Sequence, residues 1–393
     1  MYARIIDLNA VLKRKSTFLF GPRQTGKSTW LRKQFPEALY INLLSKKVYD
    51  AYSGGSSALE SDLVIFHRKN NSNLIVIDEV QKLPAILDEV HNQIELHPEL
   101  RFILTGSSAR KLKREGVNLL GGRASWRNLF PLVYPELKEK LATIADLEHR
   151  LLCGGLPKIF DSEAPLEDLD DYIQLYLTEE IRAEGFVRNY DGFGRFLKIS
   201  ALANATQINF TKVANHAQVP PRTVHDYFQI LEDTLVGFLL PALTQTNLRK
   251  AMTSAKFYLF DTGVTNALLG RTSLSAGTPE FGALFEQFII LEIKAFVSYF
   301  EQKITLNYWR TTTGFEVDLV AITPDNQKVA IEIKASSHIV TQDCAGLLAL
   351  SDEFPEIKKI LVALEGAHRI DKNGVEIIPV FQFLEMLWNR EIM

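Results

Sequence analysis

One segment of the chain has the glycine spacing of a phosphate-binding loop. GPRQTGKS (21–28) fits G-x-x-x-x-G-K-[ST], follows an apolar run and precedes a helix-compatible stretch. The glycines let backbone N–H groups point at phosphate oxygens, and Lys27 places a charge on the β- and γ-phosphates. The Ser28 hydroxyl suits Mg²⁺, and the following helix adds the positive end of its dipole. The segment therefore predicts a nucleoside triphosphate site.

Two carboxylates end a second apolar run, LIVIDE (74–79). Asp78 is expected to hold the Mg²⁺ shell, as Ser28 does from the loop. Glu79 is placed to polarise the attacking water as a general base. An acidic pair at a strand end can also be a plain solvated turn, but beside the phosphate-binding loop the catalytic interpretation is favoured.

Small polar residues end a third apolar run, RFILTGS (101–107). Thr105, Ser107 or Ser108 would sense the γ-phosphate or position water, and Ser107 is our catalytic candidate among them. The alternative is that they cap the next helix.

Short apolar runs alternate with helix-compatible stretches from Ser16 to about Leu132. Near-continuous apolar strands separated by helices are typical of a parallel sheet covered on both faces. The predicted fold class is α/β, with a P-loop nucleoside triphosphatase sheet first in the chain. The predicted strands are 16–21, 38–44, 73–79, 101–107 and 124–132.

A second set of charged residues lies on strand-like runs near the C-terminus. Asp318 and Glu332 fall on neighbouring predicted strands, and Lys334 is two residues after Glu332 on the same face. Two carboxylates can bind Mg²⁺ between them, while a lysine orients water and stabilises transition-state charge. The alternative is an ordinary strand with its charges turned outward.

Stretches over nearly the whole chain carry a family resemblance. They are GPRQTGKST (21–29), LIVIDEVQ (74–81), FILTGSSAR (102–110), GGRASWRNLFPL (121–132), CGGLPKIF (153–160), YLTEEI (176–181), FYLFDTGVTNALLG (257–270) and YWRTTTGFEVDLV (308–320). The sequence resembles a widespread prokaryotic family of AAA+-like ATPases. The resemblance implies binding of ATP with Mg²⁺, hydrolysis of the nucleotide, and a nucleotide site formed by Gly21, Pro22, Arg23, Gln24, Thr25, Gly26, Lys27, Ser28 and Thr29.

Arg123 stands in the Gly-Arg motif of the same family. The resemblance makes it a candidate for contacting phosphate, within the chain or across a subunit interface of a homo-oligomer. From the sequence alone, a salt bridge at the sheet edge is the alternative.

The C-terminal Asp…Glu-x-Lys arrangement resembles the core of PD-(D/E)xK nucleases. Glu286, on the apolar helix 281–300, matches the additional carboxylate of many such cores. The proline of that signature is missing, because Val317 precedes Asp318. Such domains also persist as inert binding modules, so the fold does not settle activity.

The middle of the chain is predicted to be helical and winged-helix-like. Two short helices, 211–219 and 222–234, are followed by the hydrophobic segment 235–241. The predicted domains are a P-loop ATPase domain, a helical and winged-helix-like module, and an α/β nuclease-like domain, at 1–140, 141–270 and 271–393 respectively.

Contacts with DNA are weakly indicated. The second winged-helix-like helix pairs Arg222 and His225 with several acidic residues, which leaves little charge for phosphates. A basic patch is the better candidate, with a solvated helix face as its alternative. Its members are Arg110, Lys111, Lys113, Arg114, Arg123 and Arg127.

The composition sets the remaining limits. Lys and Arg number 44 against 47 Asp and Glu, a net charge of −3, which excludes a uniformly basic nucleic-acid coat. Two distant cysteines argue against a disulfide scaffold or zinc site. No apolar run reaches the ~18 residues of a bilayer span. We therefore expect a cytoplasmic protein without a membrane partner.

Three functions are compatible with these features. The first is an ATPase whose nucleotide cycle is coupled to nucleic-acid binding or cleavage by the C-terminal domain. The second is an ATPase switch whose inactive nuclease-like domain binds a protein partner in signalling or defence. The third, a non-hydrolysing regulator that binds DNA, is disfavoured by intact Lys27, Asp78 and Glu79.

Overall fold

The computed structural model describes residues 2–54, 57–69, 72–108, 120–177, 189–246 and 248–393. The chain forms two compact units. One comprises Ala3–Phe130 with the short segment Asp233–Leu235, and the other comprises the remaining residues. Both contain helices and sheets, so the α/β fold class predicted from the sequence is confirmed.

The first unit is built on a five-stranded parallel sheet flanked by helices. The strand order is β2-β3-β4-β1-β5, which places β4 between β1 and β3. All five predicted strands are present within a few residues. The strands are β1 Ser16–Phe20, β2 Leu39–Asn42, β3 Leu74–Asp78, β4 Arg101–Gly106 and β5 Ala124–Asn128. The helices are α1 Asn9–Leu12, α2 Lys27–Gln34, α3 Lys46–Ser53, α4 Ser57–Lys69 and α5 Ile86–Leu96.

Strand β1 is buried at every position because both faces of the sheet are covered. The rings of Phe18 and Phe20 stack with centroids 5.6 Å apart. Trp126 of β5 packs on Phe20 at 4.4 Å. Burial of each of the two Phe rings contributes ~1.5–3 kcal/mol, so these contacts fix the strand that leads into the phosphate-binding loop.

The second unit begins with a helical region and a small sheet. Its antiparallel strands are ordered β6-β8-β7, and the helices pack around a core that includes Phe196 and Phe228, with ring centroids 4.9 Å apart. The strands are β6 Thr206–Gln207, β7 Gly237–Leu240 and β8 Lys256–Leu259. The helices are α6 Tyr134–Leu137, α7 Ile144–Cys153, α8 Pro157–Phe160, α9 Pro165–Asp171, α10 Tyr190–Leu202, α11 Phe210–Ala217, α12 Pro221–Asp233 and α13 Thr262–Leu268.

The same unit ends in a six-stranded mixed sheet ordered β13-β14-β12-β11-β10-β9. Strands β9, β10 and β11 form an antiparallel meander, and β12 and β14 run parallel to β11. The strands are β9 Thr305–Arg310, β10 Glu316–Ile322, β11 Lys328–Lys334, β12 Lys358–Ala363, β13 Arg369–Ile370 and β14 Glu376–Pro379. The helices are α14 Pro279–Tyr299, α15 Ala345–Glu353 and α16 Val380–Trp388.

Among the described helices of the second unit, α14 is the longest, with 21 residues. It carries Glu286, Glu292 and Lys294 within its span. Across the described ranges, none of the helices combines the length and apolar character that crossing a bilayer requires.

Candidate functional site

The phosphate-binding loop connects β1 directly to α2, as the sequence predicts. Gly26 has φ 89°, a left-handed conformation that glycine adopts without steric cost. A Cβ on Gly21 would lie 2.3 Å from the carbonyl oxygen of Leu129, just after β5. The Thr25 hydroxyl donates a hydrogen bond to the carbonyl of Pro22 at 2.9 Å. The loop shape therefore depends on these small residues.

Lys27 is the first residue of α2, and it is buried. Its Nζ donates to the carbonyl oxygens of Gly21 at 2.6 Å and Pro22 at 3.0 Å. The ammonium therefore lies across the loop whose N–H groups would hold phosphate. The other predicted residues are Arg23 and Gln24 in the loop and Ser28 and Thr29 in the first turn of α2.

Asp78 ends β3 and is 2% exposed. Its Oδ1 accepts a hydrogen bond from the Thr105 hydroxyl, and its Oδ2 accepts one from the Tyr40 hydroxyl at 3.3 Å. The same tyrosine lies 3.4 Å from the backbone oxygen of Ser28. Asp78 and Ser28 are therefore both within reach of one hydroxyl. These contacts place the Ser28 backbone near Asp78. The Ser28 hydroxyl and the Asp78 carboxylate are oxygen ligands of the kind that Mg²⁺ takes, so these two residues would hold it.

Burial raises the pKa of Tyr40 above its ordinary value, and the charge of Asp78 raises it further. The phenol therefore stays protonated and acts as a donor at neutral pH. It fixes the orientation of the Asp78 carboxylate.

The strand order explains why Thr105 reaches Asp78. Because β4 lies between β1 and β3, its carboxyl end stands between the phosphate-binding loop and the acidic pair. Ligands of open parallel sheets bind outside the carboxyl ends of the strands. Ser107 lies at this position, whereas Ser108 contacts the carbonyl of Asp233 at 3.4 Å. The structure therefore brings Ser107 and Thr105 to the predicted site.

Glu79 has a constrained position. Its φ of 64° is uncommon for a residue other than glycine, and its N–H donates to Thr105 Oγ1 at 3.2 Å. Gln81 Nε2 donates to the Glu79 carboxylate at 2.6 Å and to Ser107 Oγ at 3.1 Å. Burial raises the pKa of Glu79, against the lowering effect of the Lys27 charge. A partly buried carboxyl with a raised pKa is suited to accept a proton from water.

The structure does not bring Arg123 to this site. Arg123 directly precedes β5, and its neighbour Ala124 pairs with Ser16 at the start of β1. The phosphate-binding loop follows the opposite end of β1, ~17 Å away for a five-residue strand. Arg123 instead forms an ion pair with Glu95. Contact with phosphate in its own chain is therefore excluded by position, and the role across a subunit interface stays a prediction.

Most of the predicted basic patch lies outside the described residues, namely Arg110, Lys111, Lys113 and Arg114. Of the other two, Arg127 is buried and donates to the carbonyl of Trp126 at 2.8 Å. Arg123 is ion-paired. These two residues therefore do not form an open surface for phosphates.

The C-terminal carboxylates do come together. Leu319 pairs with Ile331 across β10 and β11, so the antiparallel register sets Asp318 opposite Glu332 on one face. A register irregularity between Val317 and Val320 marks a β-bulge at this point, and bulges re-aim side chains. Lys334 Nζ lies 2.5 Å from Glu332 Oε1. The predicted adjacency of Asp318, Glu332 and Lys334 is therefore observed.

A lysine that the sequence analysis did not identify lies among these acids. Lys256 of β8 has its Nζ 2.9 Å from Glu286 Oε1, 2.6 Å from Glu316 Oε1 and 3.2 Å from Asp318 Oδ1. Its side chain is only 3% exposed. Tyr258 donates a further hydrogen bond to Glu286 Oε1 at 2.6 Å.

The prediction that Asp318 and Glu332 bind Mg²⁺ between them does not fit this arrangement. The space beside Asp318 already holds the ammonium of Lys256. In the part of the chain that the structure describes, no group of three or more His, Cys, Asp or Glu side chains is arranged to hold a metal ion. Burial raises the pKa of Glu286 to about 7 and raises that of Glu332 well above its usual value.

The middle region has the predicted pair of short helices, α11 and α12, followed by strand β7. The His225 ring stacks on Phe210 with centroids 3.7 Å apart, so it is engaged within the protein. Glu232 accepts a hydrogen bond from the Leu239 N–H at 3.1 Å. Arg222 is exposed. One exposed arginine on α12 offers little for reading base edges.

Comparison with known proteins divides the chain into three matched regions. Residues 13–138 match the model of an AAA domain. Residues 144–275 match the domain of unknown function DUF8612, and residues 281–383 match the domain of unknown function DUF4143. The first match supports a P-loop ATPase-like, ATP-binding domain at the site described above.

Two relatives match most of this chain. An uncharacterized protein of Mycobacterium tuberculosis is 25% identical over 93% of this chain and 80% of its own length. One of Haemophilus influenzae is 22% identical over 79% of this chain and 76% of its own.

Two solved structures show a weak likeness. The replication initiator DnaA bound to AMPPCP and single-stranded DNA is 13% identical, with a TM-score of 0.28 over 56% of this chain and 82% of that one. The protein VC1899 from Vibrio cholerae is 12% identical, with a TM-score of 0.21 over 96% of each chain. At these scores neither structure bears on the fold.

Proposed function

We propose that the protein is an Mg²⁺-dependent ATPase. The observation that carries the proposal is the convergence of Lys27, Ser28, Asp78 and Glu79 at the carboxyl ends of β1 and β3. The match of residues 13–138 to an AAA domain supports it independently.

Each residue has a role that its position allows. The loop N–H groups and Lys27 would bind the phosphates, and Ser28 with Asp78 would hold Mg²⁺, which would supply positive charge to the phosphate groups. Glu79 accepts the proton of the attacking water, and Gln81 positions Glu79 through the 2.6 Å hydrogen bond. The Ser107 hydroxyl accepts a hydrogen bond from the same Gln81 amide, so Ser107 lies beside Glu79.

The C-terminal carboxylates are not part of this activity. Lys256 fills the space between Glu286, Glu316 and Asp318, which argues against coupled cleavage of nucleic acid. Of the two ATPase functions considered from the sequence, the switch with a non-cleaving partner-binding domain is therefore favoured.

The test is ATP binding and turnover by the full chain with Mg²⁺. Lys27→Ala should lose ATP binding, while Lys33→Ala, an exposed position on α2, should retain it. Glu79→Gln should bind ATP but hydrolyse it ~10²-fold more slowly, the lower range of general-base effects. Asp88→Asn, exposed on α5, is its control. Tight ATP binding by Lys27→Ala, or normal turnover by Glu79→Gln, would contradict the assignment.

A further inference from the structure

The acidic cluster of the second unit is organised around one internal ammonium. The cluster comprises Glu286 of α14 with Glu316 and Asp318 of β10, each with a carboxylate oxygen within 3.2 Å of Lys256 Nζ. Three oxygens at hydrogen-bond distance match the three donors of an ammonium. The cation position of this cluster is therefore already occupied by a side chain of the same protein.

The other predicted metal ligand is engaged in a different way. Glu332 Oε1 accepts from Lys334, and its Oε2 is buried with no hydrogen-bond partner among the described residues. The second Asp318 oxygen accepts the N–H of Ile333 at 3.0 Å. Thus each Asp318 oxygen has a donor within the protein.

Access to the cluster is also restricted. The Asp318 and Glu332 side chains are 9% and 6% exposed. Two residues between β7 and β8 form bridges here, Ala242 with Tyr308 of β9 and Ala251 with Thr311 just after β9. The two nearly buried carboxylates, one of them paired with Lys256, therefore offer little surface to a phosphodiester.

Lys256 does not belong to the sheet that carries Glu316 and Asp318. It begins β8 of the small sheet, while Asp318 lies on the six-stranded sheet. Gln207 of β6 makes a second link, because its Nε2 donates to the Tyr308 hydroxyl at 2.8 Å. The ion cluster therefore joins the small sheet to the C-terminal sheet.

We propose that Lys256 takes the place of a catalytic metal ion, so that the C-terminal domain binds no divalent cation at Asp318 and cleaves no nucleic acid. The carboxylates that would serve a nuclease instead form, with Lys256, a buried ion cluster that links the two sheets. This inference is independent of ATP hydrolysis in the first unit.

The first experiment needs no change at Lys256. Mn²⁺ binding is measured by electron paramagnetic resonance without nucleotide, on the full chain and on Asp318→Asn. We expect equal numbers of Mn²⁺ sites in the two proteins, and no cleavage of single-stranded DNA, double-stranded DNA or RNA by either. A Mn²⁺ site or a cleavage activity that Asp318→Asn abolishes would overturn the proposal.

The second experiment removes the ammonium. Lys256→Met should melt several degrees lower in chelator, and millimolar Mn²⁺ should restore at least half of the loss. A new Mn²⁺ site should appear that the double variant Lys256→Met, Asp318→Asn lacks. Lys303→Met, at an exposed position just before β9, should melt as the unmodified protein does, with or without Mn²⁺.

Either of two results would contradict the role of Lys256. An unchanged melting temperature would mean that the ammonium is not needed, and a loss that Mn²⁺ does not reverse would mean that it does not occupy a cation position. If Lys256→Met does not fold, Mn²⁺ binding and cleavage by the unmodified protein and by Asp318→Asn still test whether Asp318 binds a divalent cation. ATP turnover should continue in Asp318→Asn and Lys303→Met, so failure here is distinct from failure of the proposed ATPase.

Discussion

The side-chain amide of Gln81 donates a hydrogen bond to the carboxylate of Glu79 at 2.6 Å. Because the same amide also contacts Ser107, the carboxylate is tied to the end of β4. Gly106 makes room for this contact, since a Cβ there would lie 2.4 Å from Gln81 Oε1. The orientation of the proposed general base therefore depends on a neutral residue two positions further along the chain.

Replacing Gln81 should slow hydrolysis without weakening nucleotide binding. In Gln81→Leu the Glu79 carboxylate loses its donor and its orientation, so we expect kcat to fall about tenfold, less than the ~10²-fold or more that loss of the general base itself costs. The KM for ATP should change less than twofold, as measured by steady-state kinetics. Gln34→Leu, exposed at the end of α2, should behave as the unmodified protein does. A rise in KM with constant kcat would place Gln81 in nucleotide binding instead.

Tyr40 should tune the requirement for Mg²⁺. Tyr40→Phe removes the hydroxyl that donates to Asp78 and lies near Ser28. The Asp78 carboxylate is then less well oriented, and loss of such an outer hydrogen bond weakens metal binding ~10-fold or more. The Mg²⁺ concentration for half-maximal turnover should rise accordingly in a magnesium titration. Tyr49→Phe on α3 is the matched control, and an equal rise there would remove the specific role of Tyr40.

Gly21 should not tolerate a side chain. In Gly21→Ala the new methyl group would meet the Leu129 carbonyl at 2.3 Å, so β5 or the loop must move. Such overpacking costs ~1–3 kcal/mol. Chemical denaturation should register the loss, and ATP affinity should fall with it. Gly54→Ala offers the comparison, because its nearest neighbour would be 3.9 Å away. Equal stability of the two variants would show that Gly21 is not sterically required.

Glu292 should make stability decrease with rising pH. It is 2% exposed, and burial raises its pKa to about 7 although it accepts hydrogen bonds from the Tyr134 N–H and the Trp388 indole. The pKa of Glu292 is higher in the folded than in the unfolded state. Its stabilising contribution to the free energy of unfolding is therefore full below the unfolded pKa of ~4.3, and it is lost as pH rises through the folded pKa of about 7.

Melting temperatures at pH 5 and pH 8 test this prediction. Glu292→Gln cannot titrate, so its melting temperature should fall less between these pH values than that of the unmodified protein. Glu139→Gln, exposed in the turn after α6, should leave the difference unchanged. An identical pH dependence in Glu292→Gln would mean that another group titrates.

The parts of the nucleotide site that the sequence predicted are those encoded locally. The loop of residues 21–28 and the Asp78–Glu79 pair each lie within a few residues at a strand end, so strand prediction alone places them at one edge of a parallel sheet. The first four strands were predictable because parallel strands are apolar on both faces, whereas β5 (ASWRN) is mostly polar. The order of the strands was not predicted, and it decides that Thr105 meets Asp78. Arg123 lies at the opposite, amino-terminal edge of the sheet because it precedes β5.

The C-terminal cluster was predicted only in part from the sequence. The pairing of Asp318 with Glu332 follows from two strands joined by a short turn, and it was predicted. Lys256 precedes Asp318 by 62 residues and sits on a different sheet, with no motif to mark it. Only long-range packing brings it into place, and its presence changes a metal site into an ion cluster.

The ammonium of Lys256 and the carboxylates it neutralises come from opposite sides of residue 270. A fragment that begins at 271 would retain Glu286, Glu316 and Asp318 but would leave behind their counter-charge, and removing one partner from a buried ion pair costs ~3–5 kcal/mol. Such a fragment should fold poorly unless a cation replaces the lysine. The regions before and after residue 270 therefore depend on each other for charge neutralisation. A chimera that takes either region from a relative would have to retain both Lys256 and its acidic partners.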